Sequence, residues 1–148
     1  MKAFIFYKLG IHLVDMDIII NYWAVLAGGI FFVITGTLWY GPLFGKLWMK
    51  ITGAPTMTKE EMAKAQKEMM PYYLFQFIFS LITSFVLYYF MQLIGVYVAF
   101  WIWLGFSMPQ AAGAMWDTEP KYAVKKFLVI SGYYLVTLTA LGWAFTMW

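Results

Sequence analysis

The chain has 148 residues, of which 64% are hydrophobic, 22% aromatic and only 11% charged. A soluble domain carries about 25% charged residues, and a chain of this length cannot bury so much apolar surface in a core of its own. Every basic residue is a lysine, which disfavours nucleic-acid binding, because arginine is usual on such surfaces. Cysteine is absent, and one histidine is present, which excludes disulfides, thiolate metal sites and multi-histidine metal sites. The composition predicts an integral membrane protein.

The N-terminal residues do not resemble a signal peptide, because Lys8 interrupts the apolar run and no small-residue cleavage pattern follows. Two interpretations of residues 1–17 remain open. The segment is either a short amphipathic arm on the membrane surface or an extension upstream of a natural start at Met16.

Four mostly apolar runs are long enough to cross a bilayer as helices, which takes about 20 residues. They cover residues 21–40, 72–91, 96–115 and 127–148. None alternates polar and apolar residues as a barrel strand does, and backbone groups in lipid must be satisfied internally. The sequence therefore predicts an all-α fold, an integral membrane four-helix bundle that forms a single transmembrane domain over residues 1–148.

The lysines predict the orientation of these spans. Eight lie in the first and third connections, residues 41–71 and 116–126, whereas Lys2 and Lys8 lie on the opposite side. Cytoplasmic loops carry the excess of lysine near helix ends. We therefore expect a multi-pass protein of the inner or plasma membrane, with both connections cytoplasmic, both termini outside, and the lipid bilayer as its first partner.

The first connection contains two predicted helices. Gly41-Pro42 is expected to end the first span, because the residue before a proline avoids the α region. A short amphipathic helix follows, with Gly53 as its C-cap. Its apolar stripe either dips into acyl chains at the membrane interface or packs on the ends of the spans. The stripe consists of Leu43, Phe44, Leu47, Trp48 and Ile51.

A second, cytoplasmic helix is predicted to begin at Thr58. Thr58 and Glu61 have the spacing of a capping box, in which each side chain bonds to the backbone N–H of the other residue. The helix is expected to end or kink at Pro71, where the second span begins.

The segment from Trp39 to Lys50 closely resembles the opening motif of a family catalogued as domain of unknown function 1761. The matching residues are Trp39, Tyr40, Gly41, Pro42, Gly45 and Trp48. The resemblance implies a small, mainly bacterial, four-span membrane protein. It favours Met16 as the family-equivalent start, with residues 1–15 as an extension. It implies no activity. The motif marks either a functional site or a helix corner, in which glycine and proline shape a turn and the aromatic residues anchor it.

A candidate ligand or packing site lies among neutral polar residues, because no predicted span has a charged residue or histidine in its interior. Such a composition disfavours proton relays and ion-coupled carriers. Gln76 and Gln110 are expected to face inward and to bond each other or a ligand, since an amide facing lipid is costly. Hydrogen bonding between helices is the simpler interpretation. The candidate residues are Gln76, Ser80, Ser107, Pro109 and Gln110.

Three functions remain open. The first is a non-catalytic membrane protein that self-associates, as a homo-oligomer, or binds a partner. The alternative is a small channel, carrier or binder of a neutral or apolar, lipid-like ligand, acting as an oligomer. The third is a membrane enzyme that uses Asp117 or Glu119, which is disfavoured because no positioned acid–base pair, nucleophile or metal site is evident. No cofactor is expected.

Overall fold

A computed structural model describes residues 19–53 and 58–148 of the chain. Within these ranges 85% of the residues are helical and none lies in a strand, which confirms the all-α prediction for this part of the chain. The predicted extension, residues 1–15, and the two interpretations of residues 1–17 fall outside the described residues.

The first helix, α1, spans Tyr22–Leu38 and continues into a π-helical turn at Trp39–Leu43. In this turn the N–H of Phe44 donates to the carbonyl of Trp39, five residues back, at 2.9 Å. Pro42 lies inside the turn, so the prediction that Gly41-Pro42 ends the helix is wrong. The wider π turn accommodates a proline, which has no N–H to donate and clashes with the tighter α-helical turn.

The second helix, α2, covers Gly45–Thr52, and Gly53 ends it in the left-handed region at a φ of +65°, as predicted. Its apolar stripe packs against the rest of the chain at Ile51, whereas Leu43, in the preceding π turn, is 64% exposed. Ile51 is only 5% exposed, and its carbonyl accepts a hydrogen bond from the hydroxyl of Thr118 at 3.2 Å. Of the two interpretations of this stripe, the structure favours packing on the ends of the longer helices.

The third helix, α3, spans Lys59–Glu68 and begins with the predicted capping box. The backbone N–H of Thr58 donates to Oε2 of Glu61 at 2.8 Å, and the N–H of Glu61 donates to the Thr58 hydroxyl at 3.3 Å. The next helix, α4, covers Met70–Ile94 and carries Pro71 in its first turn, where the absent N–H costs no hydrogen bond.

The capping box predicts a pH dependence for α3. Hydrogen bonds from the backbone N–H and the hydroxyl of Thr58 lower the pKa of Glu61. A carboxylate with a depressed pKa stabilises the folded state above its unfolded pKa of about 4.3, and this contribution is lost as the pH falls through the folded pKa. We expect the protection factor of the amides at the start of α3, which compares their exchange with the intrinsic rate at each pH, to fall over that window, and Glu61→Gln to remove this pH dependence of protection. An unchanged pH dependence in the variant would contradict this assignment.

The helices α1 and α4 form the closest pair in the fold. The hydroxyl of Ser80 donates to the carbonyl of Gly29 at 3.1 Å, and that of Ser84 donates to the carbonyl of Val25 at 2.8 Å. A Cβ at Gly29 would lie 2.5 Å from Cδ2 of Leu81. The absence of a side chain at Gly29 therefore lets the two backbones approach closely enough for serine to bridge them.

The predicted third span, residues 96–115, is shorter and less regular than expected. It consists of α5 at Val98–Ile102, a second π-helical turn at Trp103–Ser107 and α6 at Met108–Gly113, with 5, 5 and 6 residues. At about 1.5 Å per residue this segment is about 24 Å long, against about 30 Å for the bilayer hydrocarbon core. Gly95, at a φ of +83°, ends α4 and allows the tight hairpin that leads into α5.

The last helix, α7, spans Pro120–Phe145. The helix begins seven residues before the apolar run predicted at residues 127–148, because Pro120 occupies the first helical turn, where proline is favoured. In the part of the chain that the structure describes, three helical stretches are long and apolar enough to cross a membrane: Tyr22–Leu43, Met70–Ile94 and Pro120–Phe145. The buried core lies among α1, α4, α5 and α7. Its largest members include Phe32, Leu87, Tyr88, Tyr133, Leu138 and Phe145.

Candidate functional site

The two π-helical turns hold α7 through tryptophan side chains. Trp39 opens the first turn, and its indole N–H donates to the carbonyl of Val129 at 2.9 Å. Trp103 opens the second turn, and its indole N–H donates to the carbonyl of Ser131 at 2.9 Å. Each turn carries a glycine two residues after its tryptophan. The two tryptophans therefore occupy the same position in their turns, and they bind carbonyls that are two residues apart on one helix.

The motif that resembles the known family forms a helix corner. The ring of Tyr40 packs between the rings of Trp48 and Tyr133, with centroids 4.8 Å and 5.4 Å away. A Cβ at Gly45 would lie 3.0 Å from the carbonyl oxygen of Tyr40, so α2 can begin this close to the first π turn because residue 45 has no side chain. The corner fixes the ring of Tyr40 and leaves Gly41 exposed beside it.

Tyr40 and Gly41 line a groove of about 500 Å³ between α1, α4 and α7. The groove opens to the surface, because several of its residues, among them Val33 at 38% and Tyr73 at 52%, are exposed. No charged side chain contributes to its lining among the described residues. Its polar side chains are Thr37, Tyr40, Tyr73, Gln76, Tyr133 and Tyr134.

Two of these hydroxyls are already used within the protein. Tyr133 donates to the carbonyl of Phe32 at 3.0 Å, and Thr37 donates to the carbonyl of Val33 in its own helix at 2.9 Å. A Cβ at Gly36 would lie 3.2 Å from the Tyr133 oxygen, so the absence of a side chain at Gly36 leaves room for this hydroxyl against α1. Tyr133 therefore forms the structural floor of the groove.

The other four polar side chains point to a binding role for the groove. The hydroxyls of Tyr40, Tyr73 and Tyr134 and the amide of Gln76 make no hydrogen bond to any residue in the described ranges. Together they offer three phenolic O–H groups and two amide N–H groups. The arrangement can hold a neutral molecule through hydrogen bonds and ring contacts.

The structure does not bring Gln76 and Gln110 together. Gln76 lies on α4 and lines the groove, whereas Gln110 lies on α6, and both are exposed. The prediction that both amides face the interior is therefore wrong. Ala111, which is fully buried, is the residue that α6 turns toward its neighbours, and this leaves the preceding Gln110 outward.

The remaining candidate residues are separated from the groove. Ser80 is buried and bonds to α1, as hydrogen bonding between helices requires. Ser107 is buried at the end of the second π turn, and Pro109 is exposed in the first turn of α6. The helical segment is irregular close to Pro109, because the π turn ends two residues before the proline.

The acidic residues between α6 and α7 lie at the surface. Glu119 is ion-paired with Lys121 at 2.6 Å, and both side chains are more than 60% exposed. Asp117 is exposed in the same turn. Within the described part of the chain, His, Asp and Glu do not form a group of three or more that could hold a metal ion.

The groove contains three tyrosines that are not predicted site residues: Tyr73, Tyr133 and Tyr134. The sequence contains one signal for this site, the Tyr133-Tyr134 pair inside the fourth apolar run. Tyrosines of membrane proteins usually lie at the ends of the spans. A tyrosine at such a depth needs a partner for its hydroxyl.

Comparison with known proteins supports the resemblance that the motif indicated. A family model described as "Protein of unknown function (DUF1761)" matches residues 23–146. No curated protein and no solved structure matches the chain. The family model covers all of the long helices and both π turns. The chain belongs to this family of unknown function.

Proposed function

We propose that this protein is a non-catalytic, multi-pass membrane protein that binds a neutral, lipid-like molecule in the groove between α1, α4 and α7. The observation that supports this proposal most strongly is the convergence, on one uncharged groove, of polar side chains that have no hydrogen-bond partner among the described residues. They are Tyr40, Tyr73, Gln76 and Tyr134.

The cost of burying polar groups in lipid makes these four side chains informative. A hydroxyl or amide without a partner in hydrocarbon costs several kcal/mol. Gln76 lies six residues into α4, about 9 Å along the helix axis, and Tyr134 lies near the middle of α7. A molecule that enters from the bilayer and bonds to these groups removes this cost, which provides the affinity.

The neutral lining selects the class of molecule. A phosphate or carboxylate headgroup requires a cationic partner when it is taken out of water, and the groove contains none among the described residues. The lysines within residues 19–53 and 58–148 lie instead in α2, in α3 and at the start of α7. We therefore assign the groove to an uncharged headgroup.

The test is native mass spectrometry of the full chain, extracted from its membrane in a mild detergent. The wild-type protein should retain a neutral lipid, and the double variant Tyr40→Phe/Gln76→Leu should lose most of it, because two bonding groups are removed while the ring packing is kept. The matched control is Tyr89→Phe/Gln92→Leu, with both residues exposed on α4 outside the groove. Equal retention by both double variants would overturn the proposal.

A second proposal, self-association, is supported by Gln110. This exposed amide lies on the short third segment, whose neighbour Phe106 is 76% exposed. A second copy of the chain could cover both residues and satisfy the amide. The same mass spectra decide this point, because a homo-oligomer has twice the mass of the chain or more, and a monomer that carries lipid contradicts it.

We further propose that the third segment crosses the membrane despite its length, so that residues 41–71 and 116–126 are cytoplasmic and both termini lie outside. The hairpin at Gly95 and the turn before Pro120 lie at opposite ends of this segment. Local thinning of the bilayer by a few ångströms accommodates a hydrophobic segment of about 24 Å at a modest cost.

The chain contains no cysteine, so single cysteines can test this topology directly. A membrane-impermeant maleimide should label Gln92→Cys in intact cells, and should label Lys50→Cys and Asp117→Cys only after lysis. Labelling of Gln92→Cys and Asp117→Cys from the same side would show that the third segment does not cross. Labelling of Lys50→Cys in intact cells would show that the orientation is inverted.

A further inference from the structure

We infer that the neutral ligand has a planar ring bearing carbonyl groups, as in the isoprenoid quinones, and this inference rests on the proposed binding function of the groove. Two properties of the lining carry it: the hydrogen-bonding capacity that remains unused, and the number of aromatic rings.

The unused capacity includes both donors and acceptors, and the donors can be counted. Tyr40, Tyr73 and Tyr134 each retain a phenolic O–H, and Gln76 retains two amide N–H groups. The hydroxyl hydrogens of Tyr133 and Thr37 are already donated to backbone carbonyls. A ligand with carbonyl oxygens on its ring accepts hydrogen bonds from these O–H and N–H groups and needs no donor of its own.

Half of the lining residues are aromatic, and three of them form a row of ring contacts. Tyr133 lies 5.4 Å from Tyr40 and 5.0 Å from Tyr134, measured between ring centroids. Tyr73, on the opposite wall formed by α4, is 52% exposed. A flat ring fits between such walls, because aromatic groups gain from stacked or edge contacts beyond the area that they bury.

The size and the opening of the groove fit a ring with a long apolar tail. A volume of about 500 Å³ lies within the range of about 300–1,000 Å³ typical of small-molecule sites. Val33 lies on the exposed margin of the groove, so a tail can leave past it into the surrounding acyl chains. The ring would bind inside and the tail would stay in the bilayer.

The test compares two probes that differ in headgroup. The purified full chain in detergent is titrated with a decyl-substituted benzoquinone and, separately, with dioctanoylglycerol, and binding is followed by the rise in thermal stability that a ligand of the native state produces. We expect the quinone to bind saturably and more tightly than the glycerol ester.

Variants of Tyr73 separate ring contact from hydrogen bonding. Tyr73→Phe should weaken quinone binding about fivefold through the lost hydroxyl, and Tyr73→Leu should weaken it about tenfold further through the lost ring. Tyr72→Leu is the matched control, since Tyr72 is 64% exposed and does not line the groove. Equal binding by Tyr73→Leu and Tyr73→Phe would overturn the assignment of a planar ring.

The possible outcomes distinguish this inference from the proposed function. Tighter binding of dioctanoylglycerol than of the quinone would overturn the ring assignment and leave neutral-lipid binding in place. Failure of both probes to bind saturably, together with equal lipid retention by the two double variants, would overturn the binding function itself.

Discussion

Replacing Gly28 with valine is expected to lower the apparent midpoint of thermal unfolding in detergent by about 10 °C. A Cβ at this position would overlap the hydroxyl of Ser84 and would lie 2.8 Å from Cζ of Phe145 and 3.2 Å from Cδ1 of Leu141. Ser84 cannot move aside freely, because its hydroxyl donates to the carbonyl of Val25 at 2.8 Å. Overpacking of this kind costs about 1–3 kcal/mol or more, which corresponds to a shift of this size in a chain of this length.

The matched control is the same substitution at Gly105, the glycine of the second π turn. A Cβ at Gly105 meets nothing within 4 Å, and valine has a better helix propensity than glycine. Gly105→Val should therefore leave the midpoint within a few degrees of the wild-type value. Similar losses in the two variants would show that α1 does not pack on α4 and α7 at Gly28 as described.

Replacing Val33 with tryptophan is expected to reduce ligand retention about tenfold or more. Val33 lies on the margin of the groove and is 38% exposed, so the larger side chain can be placed without disturbing the core. An indole there would occupy space that the ligand needs, and a loss of about 1.4 kcal/mol already corresponds to tenfold weaker binding. The quantity to measure is the fraction of protein that carries a lipid adduct in native mass spectra.

Val136→Trp is the matched control for this experiment. Val136 is 49% exposed on α7 and does not contribute to the groove. It should keep the wild-type level of bound lipid and a similar thermal midpoint. Equal adduct levels in Val33→Trp and Val136→Trp would mean that the lipid binds to the general apolar surface of the protein rather than in the groove.

The long helices could be predicted because length and hydropathy alone determine them. The capping box at Thr58 and the C-cap at Gly53 were also correct, since each depends on residues within one helical turn. The surroundings of the apolar stripe in the first connection could not be predicted, because the stripe has the same spacing whether it meets acyl chains or protein. Only contacts with distant residues, such as the one between Ile51 and Thr118, favour one of these alternatives.

The predictions that are wrong rest on rules about neighbouring residues, and at these positions the packing of distant residues determines the structure instead. Proline was expected to end α1 at residue 42, yet a π turn accommodates it and carries the helix to Leu43. The rule that amides face inward failed at Gln110, because the burial of Ala111 determines which side of α6 packs. The span over residues 96–115 met the hydropathy criterion, but the hairpin at Gly95 and the turn after α6 shorten its helical part.

The groove itself could be predicted only in part. Tyr40 and Gly41 belong to the family motif, and Gln76 belongs to the candidate polar residues. The sequence does not show that the motif and Gln76 lie in one site. Nothing in the spacing of residues connects Tyr40 with Tyr134, which is almost a hundred positions away. Packing of α7 against the first π turn brings them together, through the hydrogen bond from Trp39 to the carbonyl of Val129.

Crystallisation of the full chain from a lipidic mesophase would test the binding groove most directly. Elongated density should occupy the groove, with a polar end within about 2.5–3.2 Å of the Tyr40 hydroxyl and the Gln76 amide. A second copy of the chain filling this space would contradict the proposed binding groove. A closed groove, with the hydroxyls of Tyr40 and Tyr134 bonded to the protein's own backbone, would also contradict it.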